Sequence, residues 1–428
     1  SNPSRFKKQL LSWSKGDQTL SYLDSNQTGI NYSGIDCMLA VGVEDELLIR
    51  EAGKSSLDPF EQLKAFYQKY PSWLFGYFSY DLKNSIEHLS SQNFDGMVWP
   101  DLHFFCPKHV IKLQGRQVEI YSTDSAPDQL LKSILSVELG DESQFVSSQD
   151  FPKLKARMRK LDYLATVEKV RQHLHRGDLY ELNLCQEFYA ENCEVDPLAL
   201  FNKLNQLSKA PFSAYYRLQH QYLLCASPER FLQKKGQQIL SQPIKGTIKR
   251  GGNHRADEQL KKQLFNSKKD RSENVMIVDL VRNDLARTCL PGSVKVEELF
   301  GIYSFEQVHQ MISTVSGTLD PKVHFVDAIR QAYPMGSMTG APKIRSMELI
   351  EQYEQSKRGL YSGAVGYIDP EGNFDFNVVI RSLMYHSEKD YLSFQVGGAI
   401  VYDSVPEKEY EECLLKAKGI LEALELKL

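Results

Sequence analysis

The stretch "YSGAVGYIDPEGNFDFNVVIRSLMYHSEKDYLSFQVGGAIVYD", residues 361–403, decides the fold class. Three runs rich in β-branched and aromatic residues are separated by "DPEGN" and "HSEKD", short segments of turn-forming composition. The pattern predicts a meander of antiparallel strands joined by tight connections. Upstream, "FSAYYRLQHQYLLCASPERFL" and "QQILSQPIKGT" also read as strands around turns. Residues from about 256 to 287, and the segment "PEKEYEECLLKAKGILEAL" that opens on a proline, read as helices. Strands and helices are interspersed without a βαβ rhythm, so the expected class is α+β and not a doubly wound parallel sheet.

Towards the N-terminus, residues 1 to about 140 alternate short strand-like runs with one helical segment. "WLFGYFSYDL" (73–82) is an aromatic stretch whose glycine marks a close backbone approach. The polar run "GDESQFVSSQ" (140–149) is the best candidate for a boundary, dividing the chain into regions 1–150 and 151–428. Past it, apolar residues at Leu161, Leu164, Val167, Val170 and Leu174 predict a helix that ends at Gly177.

A chain of 428 residues exceeds the usual size of a single core, so two domains or one large composite fold is expected. Its 42% hydrophobic and 25% charged residues are globular values, and a net charge of -4 provides no field for nucleic acid or an anionic membrane. The implied partner is a small molecule or another protein. Seven cysteines without CxxC spacing predict mostly buried thiols in a reducing, cytoplasmic setting. No apolar run approaches transmembrane length and no signal-peptide core opens the sequence, so neither spanning nor secretion is expected.

Chemistry-bearing residues follow the helices and turns. Asp270 and Glu273 stand three apart, as do Glu409 and Glu412, so each pair shares one helix face. If the two helices meet, their oxygens, with no histidine or paired cysteine nearby, select a hard cation, Mg²⁺ before Zn²⁺. Two solvated faces are the other reading of that spacing. "MGSMTGAPKIRSMELIEQYE" (335–354) offers glycines, hydroxyls and Lys343 at a helix start, either an anion cradle or a turn that needs glycine for its geometry. Gly397 and Gly398 in "QVGGAIV" open backbone N–H groups to a ligand or mark a bulge. Lys245 lies in "SQPIKGTIKRG" (241–251), and Glu229 in "ASPERF" precedes it across an antiparallel return. A surface charge at Lys245 and an ion pair of Glu229 with Arg230 are the structural alternatives to a shared pocket.

Taken in order, "GDLYELNL" (177–184), "SPERF" (227–231), "PIKGT" (243–247), "SENVMIVDLVRNDLAR" (272–287), "GSMTGAPK" (336–343), "YSGAVGY" (361–367), "VVIRSL" (378–383), "VGGAIVYDS" (396–404) and "EYEECLLKAK" (409–418) resemble the motifs of the chorismate-utilising enzymes. That family includes anthranilate, aminodeoxychorismate, isochorismate and salicylate synthases. The resemblance runs from Leu161 to Leu428 and extends more weakly over the rest through "GYFSYD" (76–81). It implies a large composite α+β fold of two packed, mainly antiparallel β-sheets surrounded by helices, with the region 1–150 contributing to it and 151–428 forming the chorismate-binding catalytic region. It also implies Mg²⁺ held directly by Glu273 and Glu412, with Asp270 and Glu409 behind them through water. Tyr361, Arg381 and the backbone at Gly397, Gly398 and Ala399 are the implied hold on the enolpyruvyl carboxylate, where Arg suits a carboxylate by its planar fork. Thr247 and Lys416 are implied contacts to the ring side, and Glu229 the general acid for the departing 4-hydroxyl.

Lysine at 245 is similar to the aminodeoxychorismate synthase branch, since the other branches carry a small residue there. In that branch the amine attacks C2 of chorismate as the 4-hydroxyl leaves, and ammonia then adds at C4 and expels the lysine. The implied product is 4-amino-4-deoxychorismate, on the route to 4-aminobenzoate and folate. The sequence shows no glutaminase-like nucleophile region, so a glutamine amidotransferase subunit is the expected source of ammonia. Anthranilate synthase component I and a non-catalytic subunit that docks a glutaminase are the rival readings. Attack needs a neutral amine, whereas an unperturbed lysine titrates at about 10.4. Desolvation, helped by Lys249, Arg250 or Mg²⁺, would lower that value, nearby carboxylates oppose the shift, and the sequence does not fix the balance. Glu181 departs from the family pattern, in which water-using members carry lysine and ammonia-using members usually glutamine, and its role is open between orienting ammonium and pairing with a cation. Gln310 stands where many members have histidine. No "LLES"-like element is present around "CMLAVGVED", so no tryptophan inhibition is expected.

Overall fold

Every residue of the strand Cys37–Val41 is buried, yet its side chains enter two different cores. Met38 and Ala40 pack into one, and Cys37, Leu39 and Val41 into the other. Successive side chains of a pleated strand point to opposite faces, so a strand buried throughout belongs to a sheet covered on both sides. The computed structural model describes residues 2–28, 35–54, 57–87, 89–140 and 152–426, and in it two large sheets supply these cores. All ladders within the two sheets are antiparallel.

The first sheet runs in the order Gly340–Ala341, Glu181–Ala190, Tyr391–Ile400, Ser382–His386, Gln221–Ser227, Phe212–Leu218, Thr19–Asp24, Cys37–Val41, His109–Gln114 and Gln117–Ser122. The second runs Ile244–Lys249, Val308–Thr318, Gln238–Gln242, Arg230–Lys235, Phe374–Asn377, Ala364–Ile368, Leu74–Phe78, Leu102–Cys106 and Asp45–Ile49. One core lies between the sheets, joining Ala214, Tyr216 and Met384 of the first to Phe75, Phe104 and Phe376 of the second. The other lies under the helices on the outer face of the first sheet, where Leu182, Leu224 and Phe394 meet Val167, Phe201 and Ile420. Strands from both 1–150 and 151–428 occur in each sheet. Of the polar run 140–149, positions 141–149 lie outside the described residues.

The stretch 361–403 forms four strands, not three, and they do not stay together. Ala364–Ile368 pairs with Phe374–Asn377 in the second sheet, and Ser382–His386 with Tyr391–Ile400 in the first. The chain changes sheets between Asn377 and Ser382, where Arg381 takes φ 53, a left-handed conformation uncommon for a side chain of its size. The expected helix is Lys160–Arg176, capped by Gly177 at φ 80. Its buried face begins at Tyr163, followed by Thr166, Val167, Val170, His173 and Leu174, while Leu161 is exposed. Of the expected apolar repeat only Leu161, on the first turn, faces solvent, while Leu164 packs against the core.

Gly76 and Gly366 face each other in the second sheet. A Cβ on Gly76 would lie 2.1 Å from the carbonyl of His103, and one on Gly366 2.0 Å from that of Asp375. Both obstacles are backbone already engaged in ladders, so neither can give way cheaply. Gly76→Ala should destabilise the fold by about 3 kcal/mol, read as a lower denaturation midpoint. An unchanged midpoint would show that the sheet accommodates the methyl group.

Candidate active site

Lys245 stands near the start of an edge strand of the second sheet, and Glu181 opens a long strand of the first. Their contact, Nζ to Oε1, is 2.5 Å, with Lys245 9% and Glu181 1% exposed. Lys245 is therefore no surface charge. Burial pulls its pKa down, but the carboxylates of Glu181, Glu273 and Glu229 outweigh burial and hold it above the ordinary lysine value. The expected lowering by Lys249 and Arg250 does not occur. Both are exposed, and Arg250 is clasped by Asp257 at 2.8 and 2.9 Å, which neutralises its charge locally.

Glu229 is buried and its carboxyl is pushed up to about 7. Burial is the main cause, opposed by the Ser337 hydroxyl, Lys245 and the backbone of Ile244. A carboxyl poised there can donate a proton near neutral pH. The alternative ion pair with Arg230 does not form. Arg230 turns the other way to Asp375, at 2.9 and 3.0 Å, and to Gln242, as neighbours on extended chain do.

Carboxylates of the two helices do converge, on the side chain of Lys269. Ser267 caps Lys268–Ala286 by accepting from the Asp270 N–H, and Glu273 lies one turn further. Lys269 Nζ is 3.8 Å from Glu273 and 3.9 Å from Glu409 of the last helix, Pro406–Ala423. Glu273 and Glu409 are buried, which removes the solvated-face reading for them. Glu273 is pushed up to about 7, first by burial and then by Glu181 and Glu412, against Lys245 and Lys269. Glu409 is raised by burial, whereas Glu412 is lowered, chiefly by Lys416 at 2.8 Å. Half-buried Asp270 packs under Gly246, whose φ of 92 and 3.0 Å clearance to the Asp270 Cβ leave no room for a side chain. Among the described residues no three acidic, histidine or cysteine side chains stand close enough to hold a metal as they are. Yet Glu273 Oε1 and Glu409 Oε2 are buried without a hydrogen-bond partner. Unbonded carboxylate oxygens flanking one lysine are a donor set that suits a hard divalent cation.

Beside this wall lies a cationic one. Arg381 is lowered by burial, with Tyr361 and Glu412 acting in the opposite direction, so all three share one environment. Tyr361 is buried, its hydroxyl 3.9 Å from Cys185 Sγ. The strand Tyr391–Ile400 loses its neighbour Ser382–His386 beyond Phe394 but keeps Glu181–Ala190 as far as Ile400. Among the described residues, one edge of Gly397, Gly398 and Ala399 thus has no strand partner, which leaves its backbone polar groups to other ligands. A Cβ at Gly397 would lie 2.4 Å from Cys185 Sγ, and one at Gly398 3.7 Å from Glu409 Oε2 and 3.8 Å from Glu412 Oε1. Lys416 donates to the Gly397 carbonyl at 2.8 Å. Thr247 is exposed and in register with Gln310, whose Oε1 is buried and unbonded.

Of the two readings of 335–354, the positions of Lys343 and Gly340 favour the turn that needs glycine for its geometry. Lys343 is taken by Asp284 at 2.8 Å, and a Cβ at Gly340 would lie 2.1 Å from the Glu181 carbonyl. That glycine lets its strand close on the backbone of Glu181. Sequence reasoning left Glu181 to orient ammonium or to pair with a cation without naming Lys245 as that cation, and it missed Ser337 beside Glu229 and Lys269 between the acidic helices. The last had a local signal in the i,i+4 spacing of Lys269 and Glu273. A separate cavity of about 260 Å³, lined among others by Trp73, Arg230, Lys234, Tyr367 and Asp375, includes none of the acidic cluster.

The family model described as chorismate binding enzyme matches residues 18–422. Aminodeoxychorismate synthase component 1 of Klebsiella aerogenes is 37% identical over 352 residues, 82% of this chain and 76% of that protein. Its counterpart of the same name in Bacillus subtilis is 30% identical over 415 residues, 92% of this chain and 87% of that protein. Among solved structures, anthranilate synthase component I from Streptococcus pneumoniae superposes with a TM-score of 0.78 at 25% identity, covering 92% of this chain and 94% of that one.

Since Lys245 lowers Glu229, removing its charge should move Glu229 further up from about 7. Lys245→Met at pH 8 should therefore show more protonated carboxyl by difference infrared spectroscopy than the parent. The part due to Glu229 should vanish in Lys245→Met with Glu229→Gln, and an unchanged spectrum would separate the two groups.

Proposed function

The chain belongs to the chorismate-binding enzyme family, and we propose that it is an aminodeoxychorismate synthase component 1, converting chorismate and ammonia to 4-amino-4-deoxychorismate. The observation that carries the reading is the buried Lys245 amine, facing Glu229 and the acidic wall in one pocket. Arg381, Tyr361 and the free strand edge at Gly397 to Ala399 receive the enolpyruvyl carboxylate. Lys416 and Thr247 border the ring. Glu273 and Glu412, backed by Asp270 and Glu409, are the oxygen donors for Mg²⁺, which when bound supplies positive charge to the ring carboxylate.

Lys245 attacks C2, the ring double bonds C1=C2 and C5=C6 shift to C1=C6 and C4=C5, and the C4 hydroxyl leaves as water with the proton of Glu229. Ammonia then adds at C4, both double bonds return, and the C2–N bond to lysine breaks. Two allylic displacements place nitrogen para to the carboxylate, which a single addition at C2 would not. A glutamine amidotransferase subunit supplies the ammonia, and the chain alone uses ammonium. Seven free, buried thiols accord with a cytoplasmic setting, and no described helix is long and apolar enough to cross a membrane.

Incubation with chorismate, Mg²⁺ and ammonium should give 4-aminobenzoate only when an aminodeoxychorismate lyase is added. Anthranilate formed without the lyase would make the chain an anthranilate synthase component I, and no turnover with any glutaminase would leave a docking subunit. Lys245→Ala should lose turnover by orders of magnitude while calorimetry still detects chorismate binding. Undiminished para product would remove the covalent step. Glu229 acts protonated, so the parent rate should fall as pH rises through about 7. Glu229→Gln should lower kcat by about 10²- to 10⁴-fold and lack that fall.

A further inference from the structure

We propose that Glu181 is the proton acceptor of Lys245, taking a proton from the ammonium before the amine attacks and returning it when the amine departs. The inference rests on the covalent role of Lys245 given above. Four carboxylates act on or respond to Lys245, from Glu181, Glu229, Glu273 and Glu412. Only Glu181 forms a hydrogen bond with Nζ, at 2.5 Å. Glu229 has its proton committed to the leaving hydroxyl, and Glu273 and Glu412 face the cation side.

The position of Glu181 is held from outside the site. Its carbonyl accepts from Ser346 Oγ at 3.2 Å, and the short strand Gly340–Ala341 pairs with Leu182 and Glu181. Its Oε2 is buried and has no hydrogen-bond partner, so nothing but Lys245 satisfies the carboxylate. In water, transfer from an ammonium to a carboxylate runs uphill by about six orders of magnitude. A substrate that closes the pocket removes water from the ion pair, and desolvation penalises two charges but not the two neutral groups.

The protons balance. Lys–NH₃⁺ and Glu–COO⁻ become Lys–NH₂ and Glu–COOH, and the amine lone pair forms the C2–N bond, leaving a secondary ammonium on the adduct. When ammonia bonds to C4, the C2–N pair returns to lysine, which leaves neutral and regains the proton stored on Glu181. The residue is needed twice and is unchanged at the end.

The test uses chorismate and Mg²⁺ without ammonia and follows the adduct, chorismate less water, by intact-protein mass spectrometry at pH 5.5 to 7. The parent rate should be level up to about pH 6 and then fall by no more than about twofold by pH 7, as Glu229 loses its proton. Glu181→Gln should be slower by about 10²-fold at pH 6 and rise about tenfold per pH unit, because its amine must lose the proton to solvent. Glu181→Asp, which keeps a carboxylate, should restore a level profile at reduced rate and carries the test if the glutamine variant does not fold. A Glu181→Gln rate equal to or above the parent, or a level profile in it, would overturn the proposal and make Glu181 a clamp that keeps the lysine charged. Lys245→Ala separates the two readings: if it still makes the para product the covalent reading fails, whereas an inactive Lys245→Ala with an unaltered Glu181→Gln profile sinks only the role of Glu181.

Discussion

Lys245 belongs to one sheet and Glu181 to the other, and the site is organised around their contact. Two long side chains reach a 2.5 Å separation only if the strands bearing them are placed to within a fraction of that distance. Gly340 closes on the Glu181 backbone, Gly246 lets Asp270 pack under the Lys245 strand, and Gly397 admits Cys185 from the next strand. These glycines are conditions for the geometry around the pair, whatever they contribute to local turns. A buried ion pair is a poor source of stability, because desolving two charges offsets most of their attraction. Its cost is reasonable where a reactive amine must be held apart from water.

Around that pair the same functional group is made to behave in different ways. Glu229 and Glu273 are both raised to about 7 by burial. Glu412, one helix away, is lowered because Lys416 lies against it. One carboxyl thus keeps its proton close to neutral pH while another is held anionic, and environment alone distinguishes them. Arg381 adds the opposite charge at the point where the chain crosses between sheets in a left-handed conformation. That position fixes its direction at some cost in backbone strain.

Much of this was legible in the linear chain. Strand runs, turn signals, the helix ending at Gly177 and the close approach at Gly76 follow from local composition and periodicity and appear in the fold, but among the described residues the first 140 hold three α-helices, Pro3–Trp13, Pro59–Lys69 and Pro127–Leu135, where one was expected. The convergence of Glu273 with Glu409 was readable as a possibility from spacing, but only their approach to the side chain of Lys269 separated it from two solvated faces. The segment 361–403 was read as one meander and is two hairpins in different sheets, since turn chemistry specifies a hairpin but not the sheet it joins. Lys343 looked like an anion ligand beside a glycine turn, and its partner Asp284 is 59 residues away. Local sequence holds no record of such a partner.

The amino-acid sequence by itself determined the α+β class, the strands and helices, and the ordered motifs by which the chain resembles its family, because these depend on side-chain type at short spacing. Through that resemblance it also singled out Lys245 as the residue expected to separate the branches. The direction in which Lys245 titrates was decided only by the tertiary structure. Desolvation and the nearby carboxylates act on it in opposite senses, and their balance depends on distances between Lys245, Glu181, Glu273 and Glu229 that no local pattern encodes. Lys249 and Arg250 are its neighbours in sequence and Glu181 its partner in space, and electrostatic interaction falls off with separation through space, not along the chain.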